Sequence, residues 1–286
     1  MMRGMQNDFS RPLAVMAIVN RTPDSFYDKG KTFALDAAVA AGAAAFEAGA
    51  TIVDVGGVKF APGPAVAIED EIALVVPVVR ELALLGDVSV DTFRPAVARA
   101  AIEAGAAIIN DTTGLRDPQM ADVVADSEAR IVIAHSLATP RTQHPLPHYD
   151  DVTAEVGAFL RQRSDLALER GIPAERIIID PGHDLNKNTL QTLEITRRLD
   201  EIAAIGFPLL VALSNKDFIG EALGRERDQR VAGSLAAAVF CVLHGASIVR
   251  AHNVPETVDA LRMVESILGW RVPENLVHNM RAEGND

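Results

Sequence analysis

Polar residues capable of chemistry recur along this chain, each at the end of a short apolar run: Asn20, Asp54, Asp91, Asn110 with Asp111, His135, Asp180, Ser214 with Lys216, and Arg250 with His252. Aspartate and asparagine side chains match the edge of a flat, amide-like heterocycle, and one carboxylate can take two N–H groups at once. Arg250 could stack its guanidinium plane on such a ring. Arg250, His252 and Asn20 together could hold a phosphate or its magnesium ion. One Asp or Asn in such a place reads equally well as the cap of the next helix. Recurrence after every apolar run, with a lysine and an Arg-x-His among the set, favours a shared pocket. There is no Gly-x-x-x-x-Gly-Lys-Ser/Thr segment, no Gly-x-Gly-x-x-Gly fingerprint and no His/Cys cluster at zinc spacing, so P-loop, dinucleotide and structural-zinc readings are excluded.

The elements that must carry these residues follow from the apolar runs themselves. Leu13–Val19, Thr51–Val55, Val88–Val90, Ala107–Ile109, Ile131–Ala134, Ile177–Ile179, Leu209–Leu213 and Ser247–Val249 are short and rich in β-branched residues, as strands buried on both faces are. Helical spacing fills the intervals, most plainly at Ile68, Ile72, Val75, Val76, Val79, Leu82 and Ala83. Gly49, Gly86, Gly105, Gly171, Gly206 and Gly245 each precede a strand, where a left-handed residue would stop a helix. A faint repeat, Gly-Ala-x-Ile-Val/Ile, recurs at Gly49–Val53, Gly105–Ile109 and Gly245–Val249. Asp117-Pro118 predicts an N-cap followed by proline, and Pro95 and Pro255 also fit helix starts. Strand and helix therefore alternate, and eight such units close into a (β/α)8 TIM barrel, with an open doubly wound sheet as the alternative. No linker divides residues 1–286, which read as one domain with residues 1–12 as an N-terminal extension.

Composition agrees with this frame. A chain with 49% hydrophobic and 23% charged residues can bury a large core, and a net charge of −12 argues against a nucleic-acid or anionic-membrane surface. The apolar stretch Leu13 to Val19 is too short to span a membrane. Cys241 lies in an apolar helical run and reads as core packing. With one cysteine no intrachain disulfide can form, which fits the reducing cytoplasm.

Seven segments, each at a strand end, carry a resemblance. Asn20-Arg-Thr-Pro-Asp-Ser-Phe26, Asp54-Val-Gly-Gly57, Ser89-Val-Asp91-Thr92, Ile109-Asn110-Asp111, Asp180-Pro-Gly182, Leu213-Ser-Asn-Lys216 and Arg250-Ala-His252 resemble, in order, the signature segments of dihydropteroate synthases. The resemblance runs from about Ala14 to Ile267. It implies a barrel sealed at its base by the N-terminal segment, a homodimer, and a transferase of folate biosynthesis. That reaction joins 6-hydroxymethyl-dihydropterin diphosphate to p-aminobenzoate and releases diphosphate with magnesium. Carried onto this chain, Asp91, Asn110, Asp180 and Lys216 would hold the pterin with Arg250 stacked over it. Asp91, Asp180 and Lys216 would be catalytic. Asn20, Arg250 and His252 would hold the diphosphate, and Asn20 would touch the magnesium.

The departures from the family pattern cluster at the rim. Where the family has Gly-Gly-Glu-Ser-Thr-Arg-Pro-Gly, this chain has Gly56-Gly-Val-Lys59-Phe60-Ala61-Pro-Gly63, which removes an arginine clamp and leaves Lys59 as a point charge. The glycines and proline of this segment predict a mobile loop. Where the family has Ser-Arg-Lys-Ser, this chain has Ser214-Asn-Lys-Asp217, setting a carboxylate where the family receives the benzoate carboxylate. The segment His183-Asp184-Leu185-Asn186-Lys187-Asn188 replaces a glycine-rich stretch, and His183 is expected to be a solvated loop residue, with a catalytic role as the alternative. This pattern is similar to that of a diverged second paralogue found in some actinobacteria. It implies a pterin-binding protein whose use of p-aminobenzoate is lost or altered and whose second substrate is open. An ordinary active synthase and a non-catalytic regulatory paralogue are the alternatives, with a methyl-transferring pterin barrel more distant.

Overall fold

The computed structural model describes residues 13–21 and 34–278. The extension 1–12, the base seal expected of it, and the part of the first signature segment from Thr22 to Phe26 lie outside the described residues. Eight parallel strands form the centre: β1 (Ala14–Asn20), β2 (Ile52–Gly56), β3 (Asp87–Asp91), β4 (Ile108–Asp111), β5 (Arg130–Ala134), β6 (Ile177–Asp180), β7 (Leu210–Ala212) and β8 (Ile248–Ala251). Around them run α1 (Leu35–Glu47), α2 (Ile68–Leu82), α3 (Pro95–Glu103), α4 (Gln119–Ala125), α5 (Val152–Glu169), α6 (Thr189–Arg197), α7 (Leu199–Ala203), α8 (Asp217–Leu223), α9 (Val231–Leu243) and α10 (Val254–Ile267). Every predicted strand is present, with ends shifted by one or two residues.

The strands pair in the order β6-β5-β4-β3-β2-β1-β8-β7. The two ends meet through a single parallel bridge, Ile179 to Leu209, where the Ile179 amide donates to the Pro208 carbonyl at 3.0 Å. The sheet thus closes, nearly completely, into the (β/α)8 barrel rather than the open alternative. In a parallel ladder paired residues face the same side, and faces alternate along a strand. The register Met16 with Ile52, Ile18 with Asp54, Asp54 with Ser89 and Ala212 with Arg250 therefore sorts the inward positions into storeys. The lower storey is apolar: Met16, Ile52, Ile108, Val132, Ile178, Leu210 and Ile248 form an inner cluster separate from the larger core between strands and helices. Toward the carboxyl ends the inward positions turn polar: Asp54, Asn110, Asp180 and Arg250 stand two residues beyond Ile52, Ile108, Ile178 and Ile248 on their strands.

Glycine stops end most helices in one way. Gly49, Gly105 and Gly245, the three repeat positions, take φ of +97°, +108° and +103°, and Gly171 and Gly206 take +91° and +100°. The residue after each repeat glycine donates its amide five residues back: Ala50 to Ala45, Ala106 to Ala101 and Ala246 to Cys241. This is the Schellman closure, which satisfies carbonyls the helix leaves open. Gly86 is a correction. Its φ is not left-handed; glycine stands there because a Cβ would lie 2.7 Å from the Phe46 ring. Pro95 opens α3 and Pro255 lies in the first turn of α10. The expected cap is shifted by one residue: Pro118 itself stands at the N-cap of α4, without a side-chain cap bond, and Asp117 accepts the Gln119 amide at 3.0 Å in the turn before it. Cys241 is fully buried, and burial pushes its thiol up to about 12. No helix among the described residues is long and apolar enough to cross a membrane.

Candidate functional site

The polar storeys converge at the carboxyl ends of the strands, below a cavity of about 370 Å³. Asn20, Asp91, Lys216, Arg250 and His252 line it, together with the rim residues Lys59, Phe60, Ala61 and Asp217. Asn110 and Asp180 are almost fully buried and are not among the residues that line it.

Arg250, from the end of β8, is the centre of the floor. Its Nε donates to Asp54 Oδ2 at 2.7 Å and its Nη2 to Asp91 Oδ2 at 3.3 Å, while Asn110 Nδ2 donates to the same Asp54 oxygen at 3.1 Å. Burial works against the guanidinium charge, but Asp54 and Asp91 outweigh it and hold its pKa above the ordinary value. Burial pushes the Asp91 carboxyl up to about 7; Arg250 opposes the rise, and Asp54, Glu71 and Asp111 add to it. The sequence places Asp54 among the polar strand ends and in a signature segment but assigns it no binding role. Its inward register opposite Ser89 and its bond to Arg250 are what reveal it. Asp54 Oδ1, Asn110 Oδ1 and Ser89 Oγ are buried without a hydrogen-bond partner among the described residues. Such atoms cost about 1–3 kcal/mol each unless a ligand or water completes them.

Asp180, at the end of β6, accepts the Gly182 amide at 2.7 Å. Burial raises its pKa while that bond, Lys216, Lys187 and Arg250 pull it down. The Lys216 ammonium donates to the His183 carbonyl, and burial lowers its pKa against the pull of Asp184 and Asp180. His183 corrects the expected solvated loop residue. It is fully buried, both ring nitrogens lack a hydrogen-bond partner among the described residues, and burial holds its pKa well below the usual range. The turn is responsible: Gly182 has φ +66°, and a Cβ there would lie 2.1 Å from the His135 carbonyl oxygen, so the chain folds tightly back beneath the rim.

Two other polar strand ends serve the scaffold. His135 Nδ1 accepts from the Lys187 Nζ at 2.9 Å, and Lys187 also donates to the carbonyls of Gly182 and Leu185. Burial, followed by the Lys187 charge, brings His135 down to about 3, so its ring is neutral at Nδ1 and receives the lysine. Asp111 turns outward to the Thr113 hydroxyl and the amides of Thr113 and Leu115. Glu71, buried on α2, accepts from the Thr92 hydroxyl at 2.7 Å and Arg94 at 2.9 Å, which steadies the segment after Asp91.

The altered rim is tethered. Arg141 donates its amide to Phe60, its Nε to the Pro64 carbonyl at 2.9 Å and its Nη1 to the Ala61 carbonyl, and Pro62 bridges to Arg141. The Phe60 and His144 rings lie 4.9 Å apart. The glycine-containing loop therefore lies against the loop after β5. Asp217 is also different from the bare charge expected: Arg230 pairs with it at 2.8 Å and Arg227 at 3.8 Å. Among the described residues no group of three or more His, Cys, Asp or Glu side chains is placed to hold a metal ion.

Comparison with known proteins places this geometry. The family described as pterin binding enzyme matches residues 16–252. The inactive dihydropteroate synthase 2 of Mycobacterium leprae is 42% identical over 285 residues, covering 94% of this chain and 97% of that protein. The dihydropteroate synthase of Escherichia coli K12 is 40% identical over 269 residues, covering 93% and 95%. Among solved structures, the Xanthomonas albilineans dihydropteroate synthase with 4-aminobenzoic acid superimposes with a TM-score of 0.84 at 43% identity, covering 93% of this chain and 95% of that one. The same enzyme in complex with 7,8-dihydropteroate gives 0.81 at 42% identity, covering 93% and 96%.

Proposed function

The chain belongs to the pterin binding enzyme family, and from that premise we propose that its barrel mouth holds 6-hydroxymethyl-dihydropterin diphosphate, with the joining to p-aminobenzoate lost or altered. The observation that carries the reading is the set of unpartnered acceptors, Asp54 Oδ1, Asn110 Oδ1 and Ser89 Oγ, beside the Arg250 fork. A pterin edge brings several N–H donors on one flat side, which is the complement such acceptors lack. Asp91, Asn110, Asp180 and Lys216 would grip the ring, with the guanidinium plane of Arg250 against its face. Arg250 and His252 would hold the leaving diphosphate, and Asp91, Asp180 and Lys216 would steady charge that develops on the ring as it departs.

Magnesium would arrive with the diphosphate. Asn20 offers one side-chain oxygen near Gly56, and phosphate oxygens and water would complete the shell. Loss of p-aminobenzoate use is supported by Phe60 and Ala61 in the rim and by the acidic residues around α8. The relatives named inactive support it as well. A homodimer is supported by Phe240, Leu243, Met263 and Ile267, large apolar side chains exposed on the neighbouring helices α9 and α10. One buried cysteine suits the cytoplasm as the site of action.

Calorimetric titration with the pterin diphosphate and magnesium tests the central claim. Saturable binding is expected, weakened at least about tenfold by Asn110→Leu, which deletes an acceptor and a donor from the floor. Absence of heat at millimolar ligand would sink the pterin assignment.

A further inference from the structure

We infer that Asp184 is a built-in carboxylate that closes the mouth of this cavity to an amine partner bearing a carboxylate, so that the second substrate is an amine whose far end carries none. The inference rests on the pterin reading above and names the class of partner that reading leaves open. Asp184 lines the cavity beside Lys216 and Asp217. Its Oδ2 accepts the amide of Asp217 at 2.7 Å and that of Phe218 at 3.4 Å, and its Oδ1 accepts the Thr192 hydroxyl at 3.4 Å. Two non-glycine residues of this loop, Asp184 and Asn186, take left-handed φ of +62° and +54°. The backbone is thus bent to carry a carboxylate across from the end of β6 to the start of α8.

The donors that an incoming carboxylate would meet at the start of α8 are already engaged. The two amides are given to Asp184, the Lys216 ammonium to the His183 carbonyl, and Arg230 to Asp217 and the Asn215 carbonyl. Charge-assisted hydrogen bonds of this kind are strong, and a second carboxylate would have to displace one or lie against the Asp184 carboxylate. A neutral carboxamide meets no such repulsion and brings N–H donors toward Asp184 and Asp217. Specificity here comes from a repulsive element as well as from contacts. It also replaces the simpler view in which Asp217 alone repels: Asp217 is paired, and Asp184 holds the contested place.

The test uses two ligands that share a pterin and differ only at the far end, pteroic acid and its carboxamide, each titrated calorimetrically into the full chain. The carboxamide is expected to bind wild type at least about tenfold more tightly than the acid, the scale of an unfavourable like-charge contact at a partly buried rim. Asp184→Gly keeps the left-handed backbone and removes the carboxylate, and should bring the ratio to about one or below. Asp184→Asn removes the charge while leaving an acceptor, and should move the ratio part of the way. Binding of 6-hydroxymethylpterin, which has no far end, reports whether each variant is folded; if the glycine variant fails that control, the asparagine variant decides. Equal affinities for acid and carboxamide in wild type, or a ratio unmoved in a variant that still binds 6-hydroxymethylpterin, overturn the inference while the pterin reading stands. Failure of wild type to bind 6-hydroxymethylpterin overturns the pterin reading and this inference with it.

Discussion

Arg250 holds two carboxylates that would otherwise repel each other beneath the same cavity, and Asp91 is the one whose protonation is poised to change. With its carboxyl near 7, Asp91 is largely protonated in mildly acidic solution and ionised above neutrality. A pterin donates N–H groups to the ionised form, so affinity should rise between about pH 6 and about pH 8 and then level, because the ligand favours the deprotonated state. Calorimetric titrations of 6-hydroxymethylpterin across that range check the sign, and Asp91→Asn should flatten the profile; a wild-type profile that falls with pH would assign the ring to other acceptors. The sequence made Asp91 and Arg250 legible because each stands in a distinctive segment at a strand end. Asp54 and His183 were not legible in role. Asp54 depends on which way a strand residue faces, and His183 on a turn that buries a loop residue through Gly182. Neither residue type nor local polarity encodes those facts.

The helices end on glycines whose cost of replacement differs by what lies around them. Gly171 has φ +91° with nothing within 4 Å of an added Cβ, whereas Gly245 has φ +103° and its Cβ would meet the Ala203 Cβ at 2.6 Å. Gly171→Ala should therefore cost about 1–2 kcal/mol from left-handed strain alone. Gly245→Ala should cost about 1–3 kcal/mol more, because it also overpacks the contact with α7. Urea denaturation of the two variants measures the difference, and equal losses would show that α7 yields freely. These stops were readable because Gly-Ala-x-Ile-Val/Ile repeats one local device. Gly86 does not follow that device because its reason is a ring from a distant helix, and the contacts of the loop at Val58–Gly63 are not legible because Arg141, which makes them, is remote in sequence.

At the scale of the whole molecule, the apolar side chains on α9 and α10 set the expected assembly. Wild type should sediment as a dimer, and the double variant Leu243→Glu/Ile267→Glu as a monomer that keeps its pterin affinity, since both residues lie on the outer helices away from the cavity. A monomeric wild type at micromolar concentration in sedimentation velocity would refute the assembly. Alternation made eight strand–helix units legible but left an open sheet as the alternative to the barrel, and the point of closure was not legible at all. β6 and β7 share one bridge, and above that bridge the gap is crossed by side chains instead of a ladder: Lys216 to the His183 carbonyl, and Asp184 to the Asp217 amide. The barrel thus has a seam, and the seam opens onto the ligand mouth. A pterin touching Asp180 on one lip and Lys216 on the other would act as a rivet, so that occupancy fastens the least-laced joint of the whole cylinder and its free energy of binding becomes resistance to opening there.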